Sequence, residues 1–287
     1  MRSVIRYSAL VSLLALVAQT SALRAQDETT ETDQQRVDRL AHMKQQAAAY
    51  TLTLEGSKTP LTLHEEPVLR FSNPVSGVPD GIVAMWKDGE RPAVVAQVFQ
   101  TKDGLWVHEV QSLASAGLAM KKGDKVCWQP KEPAEAFRRL TDAPAPAAGA
   151  GRRLVQMKAL AEEFSVADDF KINTSDQETT RHELRLLTTP IYRYEDAAAG
   201  IQDAAVFAFV HGTDPEVFLV LESRTGSGTD TSETGWHYTL APMTCWAVTV
   251  SRGGNEVWSL PERLNKSTPS GPYHVWLHRP LRLPFSR

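Results

Sequence analysis

Eight residues of the first half of this chain recur in the second half at one fixed spacing of 123 positions, without a gap. Pro67, Arg70, Gly77, Asp80, Val83, Gly89, Pro92 and Val94 are matched by Pro190, Arg193, Gly200, Asp203, Val206, Gly212, Pro215 and Val217. A repeat of this length constrains the architecture before any single motif does. The matched residues are mostly backbone punctuators: Gly supplies positive φ, Pro fixes φ and Asp closes turns. Packing residues drift conservatively, as in Val68/Ile191, Phe71/Tyr194, Val78/Ile201 and Trp86/Phe209. Upstream the match continues at a spacing of 114, pairing Arg39, Leu40, Met43, Lys44 and Ala47 with Arg153, Leu154, Met157, Lys158 and Ala161, and Tyr50 with Phe164. Downstream it continues at 130, pairing Trp106 with Trp236, Gly123 with Gly253 and Trp128 with Trp258. The alternative is a chance alignment of Gly and Pro in two β-rich halves, and it predicts different topologies for 67–100 and 190–223.

The N-terminus has the pattern of an export signal: Arg2 and Arg6, an apolar run from Ala9 to Ala18 that is short for a membrane span, then small residues with cleavage after Ala22 or Ala25. This predicts a periplasmic or extracellular protein with no transmembrane segment once residues 1–25 are gone. Their loss removes three basic residues and no acid, leaving 28 basic against 34 acidic residues, a net charge of −6. That excess disfavours nucleic acid and anionic membrane as partners and leaves a protein or a small molecule. The two cysteines, Cys127 and Cys245, are candidates for a disulfide joining the halves in an oxidising compartment; the alternative is two buried thiols in core strands.

Residues 26–32 are polar and acidic and predict a mobile arm. A helix is expected from Asp33, as N-cap, to about Ala49, followed by a strand at Tyr50–Leu54 and one longer or two shorter strands between Leu61 and Phe71, broken near Pro67. Gly81–Trp86 and Ala93–Phe99 form the clearest hairpin, repeated at Ala204–Phe209 and Glu216–Leu221, with Gly89 and Gly212 at left-handed turn positions. Glu132–Leu140 reads as a short helix, and the Pro/Ala/Gly stretch at 141–151 reads as a linker. Tyr273–Leu277 is an extra strand without counterpart, and Arg279–Arg282 a polar tail.

The recurring Arg70/Asp80 and Arg193/Asp203 read as structural ion pairs, since both copies must fold while only one need keep a site. Trp106-x-His108-Glu109-x-x-Ser112 is the densest polar cluster. His108 and Ser112 share a face of a regular strand, which invites a nucleophile and base, though no third member is identifiable. Trp106, Trp236 and Tyr238 are candidates to line a binding groove, with core packing as the alternative. The eight histidines show no metal-ligand spacing; His274 and His278 sit in a strand, and His211 in a hairpin turn. No Gly-rich phosphate loop precedes a helix. The sequence therefore predicts no metal and no cofactor.

The segments Leu69-Arg-Phe-Ser-Asn-Pro74 with Asp80–Trp86, and Leu184–Tyr194 with Asp203–Phe209, resemble an uncharacterised family of exported planctomycete-type bacterial proteins with an internal duplication. The resemblance covers most of the mature chain. It implies export and a repeated architecture, and it carries over no catalytic residue.

The expected fold is α+β: a tandem duplication of a unit with one N-terminal helix packed on an antiparallel β-sheet, over 33–140 and 152–287, in a pseudo-two-fold arrangement. The expected function is that of an exported, non-enzymatic binding or structural protein. The alternatives are a hydrolase-like enzyme using His108, Glu109 or Ser112, and a small-molecule module, for instance for a flavin, at the interface of the repeats.

Overall fold

The computed structural model describes residues 32–171, 180–225, 234–263 and 267–278. The expected signal at 1–25, nearly all of the arm, the Gly226–Asp230 loop and the Arg279–Arg282 tail lie outside the described residues. Helix α1 spans Asp33–Ala48, and its cap is Thr32 rather than Asp33. The Gln35 N–H donates to Thr32 Oγ1 (3.2 Å) while the Thr32 N–H donates to Gln35 Oε1 (2.8 Å). This reciprocal box satisfies two donors at once, which a lone Asp cannot do. The chain divides into two units after Ala41; the described part of the first is the opening of α1, and everything below concerns the second.

Its strands are β1 (Tyr50–Leu54), β2 (Thr62–Leu63), β3 (Leu69–Asn73), β4 (Val78–Asp88), β5 (Arg91–Gln100), β6 (Trp106–Ser112), β7 (Leu118–Lys122), β8 (Lys125–Trp128) and β9 (Arg138–Arg139). Helix α2 (Ala150–Glu162) follows, then β10 (Phe164–Phe170), β11 (Thr180–Leu186), β12 (Tyr192–Asp196), β13 (Ile201–His211), β14 (Asp214–Arg224), β15 (Gly235–Pro242), β16 (Val248–Arg252), β17 (Asn255–Leu260) and β18 (Tyr273–His278). With α1 and α2 the two helices among the described residues, the fold is mostly antiparallel sheet. One sheet runs β18-β6-β5-β4-β2 with β3 also on β4. A second runs β17-β16-β10-β11-β13-β14-β15-β9 with β12 also on β13, and β1-β7-β8 make a third. No helix among the described residues is long and apolar enough to cross a membrane.

The central strands are buried on both faces, which is why their sequences are nearly continuous apolar runs rather than alternating ones. On β4, Ala84 and Trp86 face a core shared with Ala47, Leu52, Val94, Val110, Met120 and Trp128. Val83 and Met85 face the other way, into a core where Val95 and Val107 meet Val206, Ala208, Phe218 and Val220. A third core packs Met157 and Leu160 of α2 on Phe207, Phe209, Leu219 and Trp236. The space between the two large sheets is thus filled by side chains from both halves. Each main hairpin closes with Gly at positive φ, 61° at Gly89 and 64° at Gly212, where a Cβ would be strained.

Two sequence expectations need correction. Glu132–Leu140 is not helical. Its backbone donors go to distant acceptors, Ala134 N–H to Ala114 O and Leu140 N–H to Trp236 O, and Arg138 and Arg139 pair with Tyr238 and His237 of β15. These long-range bonds replace the local ladder of a helix. Nor does each half keep to its own sheet: β18 of the second half adds to β6, with Trp276 opposite His108, and β9 of the first half adds to β15. The boundary at 141–151 therefore does not divide the sheets. Within it, Asp142–Gly149 has neither helix nor strand but is tied to α2, with Gln156 Nε2 donating to Ala145 O and Arg153 Nη1 to Ala148 O.

Candidate functional site

The core face of β10 presents Phe164, Val166, Asp168 and Phe170 in alternation. Asp168 breaks that apolar row. It is fully buried, and neither of its oxygens has a hydrogen-bond partner. His182 of β11 lies opposite it in register. The β13–β14 hairpin brings His211, at the end of β13, and Glu216, on β14, to the same place. The ligand atoms of Asp168, His211 and Glu216 all lie within 4.8 Å of one another. The rings of His182 and His211 are 4.8 Å apart, and Phe170 packs against both.

Two more acids extend the cluster. Asp214 is buried and accepts from Asn73 Nδ2 of β3 at 3.2 Å, while its Oδ1 has no partner. Glu109 of β6 accepts from Tyr273 Oη of β18 at 2.8 Å. Part of the Glu109 side chain reaches the surface, but its carboxyl lies among Tyr273, Asp214 and Arg263. Burial pushes Asp168 and Asp214 up to about 7 and Glu109 up to about 8. Glu216 is held well above the usual carboxylate range by burial first, then by the charges of Asp214, Asp168 and Glu109. Burial and the neighbouring His182 lower His211. The nearby cation is Arg263, whose Nη2 donates to Thr244 O at 2.9 Å and whose guanidinium lies 4.1 Å over the Tyr273 ring. Its Nε is buried without an acceptor, and burial lowers its pKa. Ionising these four carboxyls together would be costly, because an uncompensated buried charge costs several kcal/mol per ion.

Of the sequence candidates, Glu109 alone joins this cluster. His108 and Ser112 point to the opposite side of β6. Four residues along a strand separate them by roughly 13 Å, so they cannot form a nucleophile–base pair. His108 Nδ1 is bonded to Tyr50 Oη at 3.2 Å and its ring stacks on Trp276; Ser112 Oγ accepts from Ala114 N–H. Trp106, Trp236 and Tyr238 are core residues, each at most 6% exposed. Cys127 and Cys245 are free. Cys127 packs at the edge of the core containing Trp128, whereas Cys245 lies near Glu109 and Glu216, and burial pushes its thiol up to about 12.

Arg70 Nε and Nη2 donate to the two oxygens of Asp80, both at 2.7 Å. Arg193 does the same to Asp203 at 2.8 and 2.7 Å, and Arg153 of α2 adds a third donor at 3.0 Å. Arg193 Nη2 also donates to Ala150 O, tying β12 to the start of α2. Among the described residues, these pairs share no hydrogen-bond partner with the acid cluster. Arg70→Ala and Arg193→Ala are each expected to lower stability by about 1–3 kcal/mol, toward the low end because both guanidiniums are partly solvated. Chemical denaturation checks this, and an unchanged midpoint in both variants would count against it.

Sequence inspection missed Asp168, His182, His211, Asp214 and Glu216. They come from four different strands, so no local spacing joins them. One signal was present: the positions matched to Asp168 and Glu216 in the first half are Leu54 and Ala93, so acids stand in the second half where apolar residues stand in the first. A surface depression of about 590 Å³ beside the paired strands β1 and β7, edged by Glu55, Lys121 and Lys131, is wide and open and gathers no unpartnered buried groups. No protein-family model matches the sequence, and neither a curated protein nor a solved structure matches it.

Proposed function

We propose that this chain is an exported, non-enzymatic binding protein, built from two copies of one helix-and-sheet unit, and that its second copy holds a cationic ligand in the buried acid cluster. Export rests on the residue 1–25 pattern. The duplication is supported by register. Leu69↔Val83 of β3–β4 and Tyr192↔Val206 of β12–β13 are the same pair shifted by 123, as are Gly81↔Phe99 and Ala204↔Glu222. Irregularities fall at matched places, between Trp86/Lys87 and Phe209/Val210. An approximate two-fold is supported by reciprocal contacts: Thr213 of the second hairpin turn bonds Ser72 of β3, and Tyr192 of β12 bonds Glu90 of the first turn. The crossing of β9 onto β15 and of β18 onto β6 has the same reciprocity.

The observation that carries the ligand assignment is Asp168. A fully buried carboxyl with both oxygens unpartnered, beside Glu216 and His211, is stabilised most directly by a bound positive charge. The hydrolase alternative loses the His108–Ser112 pair on which it rested. Thermal melts against a panel of divalent ions and a polyamine test this reading. At a hundredfold excess over Kd a ligand stabilises by about 2.7 kcal/mol, which for a chain of this size is a rise of roughly 5–10 °C. Asp168→Asn is expected to abolish the rise. If no cation shifts the wild type and Asp168→Asn is simply more stable, the acids are held neutral by burial and the reading fails.

A further inference from the structure

We propose that the cation is a divalent first-row transition-metal ion of the zinc, nickel or iron(II) kind, bound by Asp168, His211 and Glu216 with His182 as fourth ligand. This rests on the cation-site reading and narrows it. The donor set decides the class. Calcium and magnesium take oxygen ligands, whereas imidazole nitrogen suits zinc, nickel, copper and iron. Two imidazoles face the two carboxyls here. Each histidine has a buried ring nitrogen without a partner, His211 Nδ1 and His182 Nε2. In ordinary structural packing such an atom would hold a hydrogen bond.

Each ligand sits on a different strand: β10, β11, the end of β13 and β14. β10, β11, β13 and β14 are consecutive neighbours in one sheet, so hydrogen-bonded backbone fixes where each side chain starts. The 4.8 Å within which the three donors fall exceeds the roughly 3.4 Å between ligands of a tetrahedral ion with bonds of about 2.1 Å. Side-chain rotation toward the ion takes up that difference. Two carboxylates and two neutral imidazoles leave a divalent ion with no net charge, the combination a buried site favours. Cys245 and His182 both stand outside the three donors that lie within 4.8 Å of one another; the imidazole is the better fourth ligand because it lies opposite Asp168, its ring is 4.8 Å from that of His211, and its Nε2 is buried without a partner. The site belongs to the second half alone, since Leu54, Asp88 and Ala93 stand at the matched positions of Asp168, His211 and Glu216.

The test uses the full mature chain stripped with chelator and titrated with cobalt(II), followed by zinc competition and by calorimetry with zinc, calcium and magnesium. One cobalt per chain should give the intense visible d–d absorption of a four-coordinate N/O site, and zinc should displace it. Asp168→Asn and His211→Ala should abolish the band. His182→Ala should weaken binding by at least about 10–100-fold, the range seen when a group next to a metal is lost. Circular dichroism and melting of each apo variant separate lost binding from lost fold, and Glu216→Gln, which keeps size and polarity, is the second variant if His211→Ala unfolds. Cobalt binding that survives both His211→Ala and His182→Ala overturns the transition-metal assignment. So does a site that takes only calcium, magnesium or a polyamine, although that outcome leaves the cation reading standing. No binding of any cation overturns both.

Discussion

Replacing Glu222 by alanine should destabilise the protein by about 3–5 kcal/mol, the usual cost of removing one partner from a buried ion pair. Glu222 lies on β14, with no exposed surface. Its carboxylate accepts from Arg91 Nε at 3.0 Å and Nη2 at 3.3 Å, from Arg224 Nε at 2.6 Å, and from Tyr194 Oη at 2.6 Å. Arg91 belongs to β5 of the first half, so the acid joins the two sheets. Phe137, on the segment leading to β9, lies 4.9 Å from the Arg91 guanidinium and 4.4 Å from that of Arg224. Deleting the carboxylate leaves two like charges converging on one ring and a buried phenol without an acceptor. Glu222→Gln keeps an acceptor but not the charge and should cost roughly half as much, and Tyr194→Phe should cost about 1 kcal/mol. Urea unfolding reads all three through the midpoint at constant slope. A loss under about 1 kcal/mol for Glu222→Ala would mean that the two arginines find water without it, and that the acid does not hold the sheets together.

Punctuation was legible in the sequence, and convergence was not. Gly89 and Gly212, and Pro92 and Pro215, are local instructions, so the main hairpins could be placed from the residues alone; Asp80 and Asp203 lie within β4 and β13 and answer Arg70 and Arg193 rather than closing a turn. Their strands run further than the apolar residues suggested, to Asp88 and from Arg91, because pairing across a two-residue turn continues through polar residues that water would otherwise solvate. Glu132–Leu140 misled because its composition suits a helix while its hydrogen-bond partners, Ala114 after β6 and Trp236 of β15, are supplied by distant segments. Propensity is a weak guide where tertiary partners are stronger. The acid cluster was hidden for a related reason. Asp168 and Glu216 are 48 positions apart in the sequence, and only the pairing of β10 through β11 and β13 to β14 brings them together. His108 and Ser112 show the converse: they are near in sequence and share a strand face, and the rise of that strand keeps them apart.

Glu109→Gln should make the metal-free protein more stable than wild type above about pH 8, and should leave the two nearly equal near pH 5. Glu109 sits on the face of β6 that looks into the acid cluster. Facing it are Tyr273 of β18, Asp214 and, further along β14, Glu216, together with Arg263 and the Cys245 thiol. Burial is the main cause that raises its carboxyl from 4.5 to about 8; Asp214 adds to the rise, and the Tyr273 hydrogen bond and Arg263 oppose it. Folded chains therefore carry a proton on Glu109 across a range in which unfolded chains have lost it. Stability from this group is complete below about pH 4.5 and is lost as pH rises through about 8. From 4.5 to about 8, at 1.36 kcal/mol per pH unit, the loss comes to roughly 5 kcal/mol. Glutamine has no proton to lose and still offers Oε1 to the Tyr273 hydroxyl, so the variant should lack this part of the decline. Urea melts of both proteins at pH 5, 7 and 9, in chelator so that no ion compensates the acids, measure the difference. Parallel curves for wild type and variant would show that water reaches the Glu109 carboxyl, and that the acids of the cluster are not enclosed as a group.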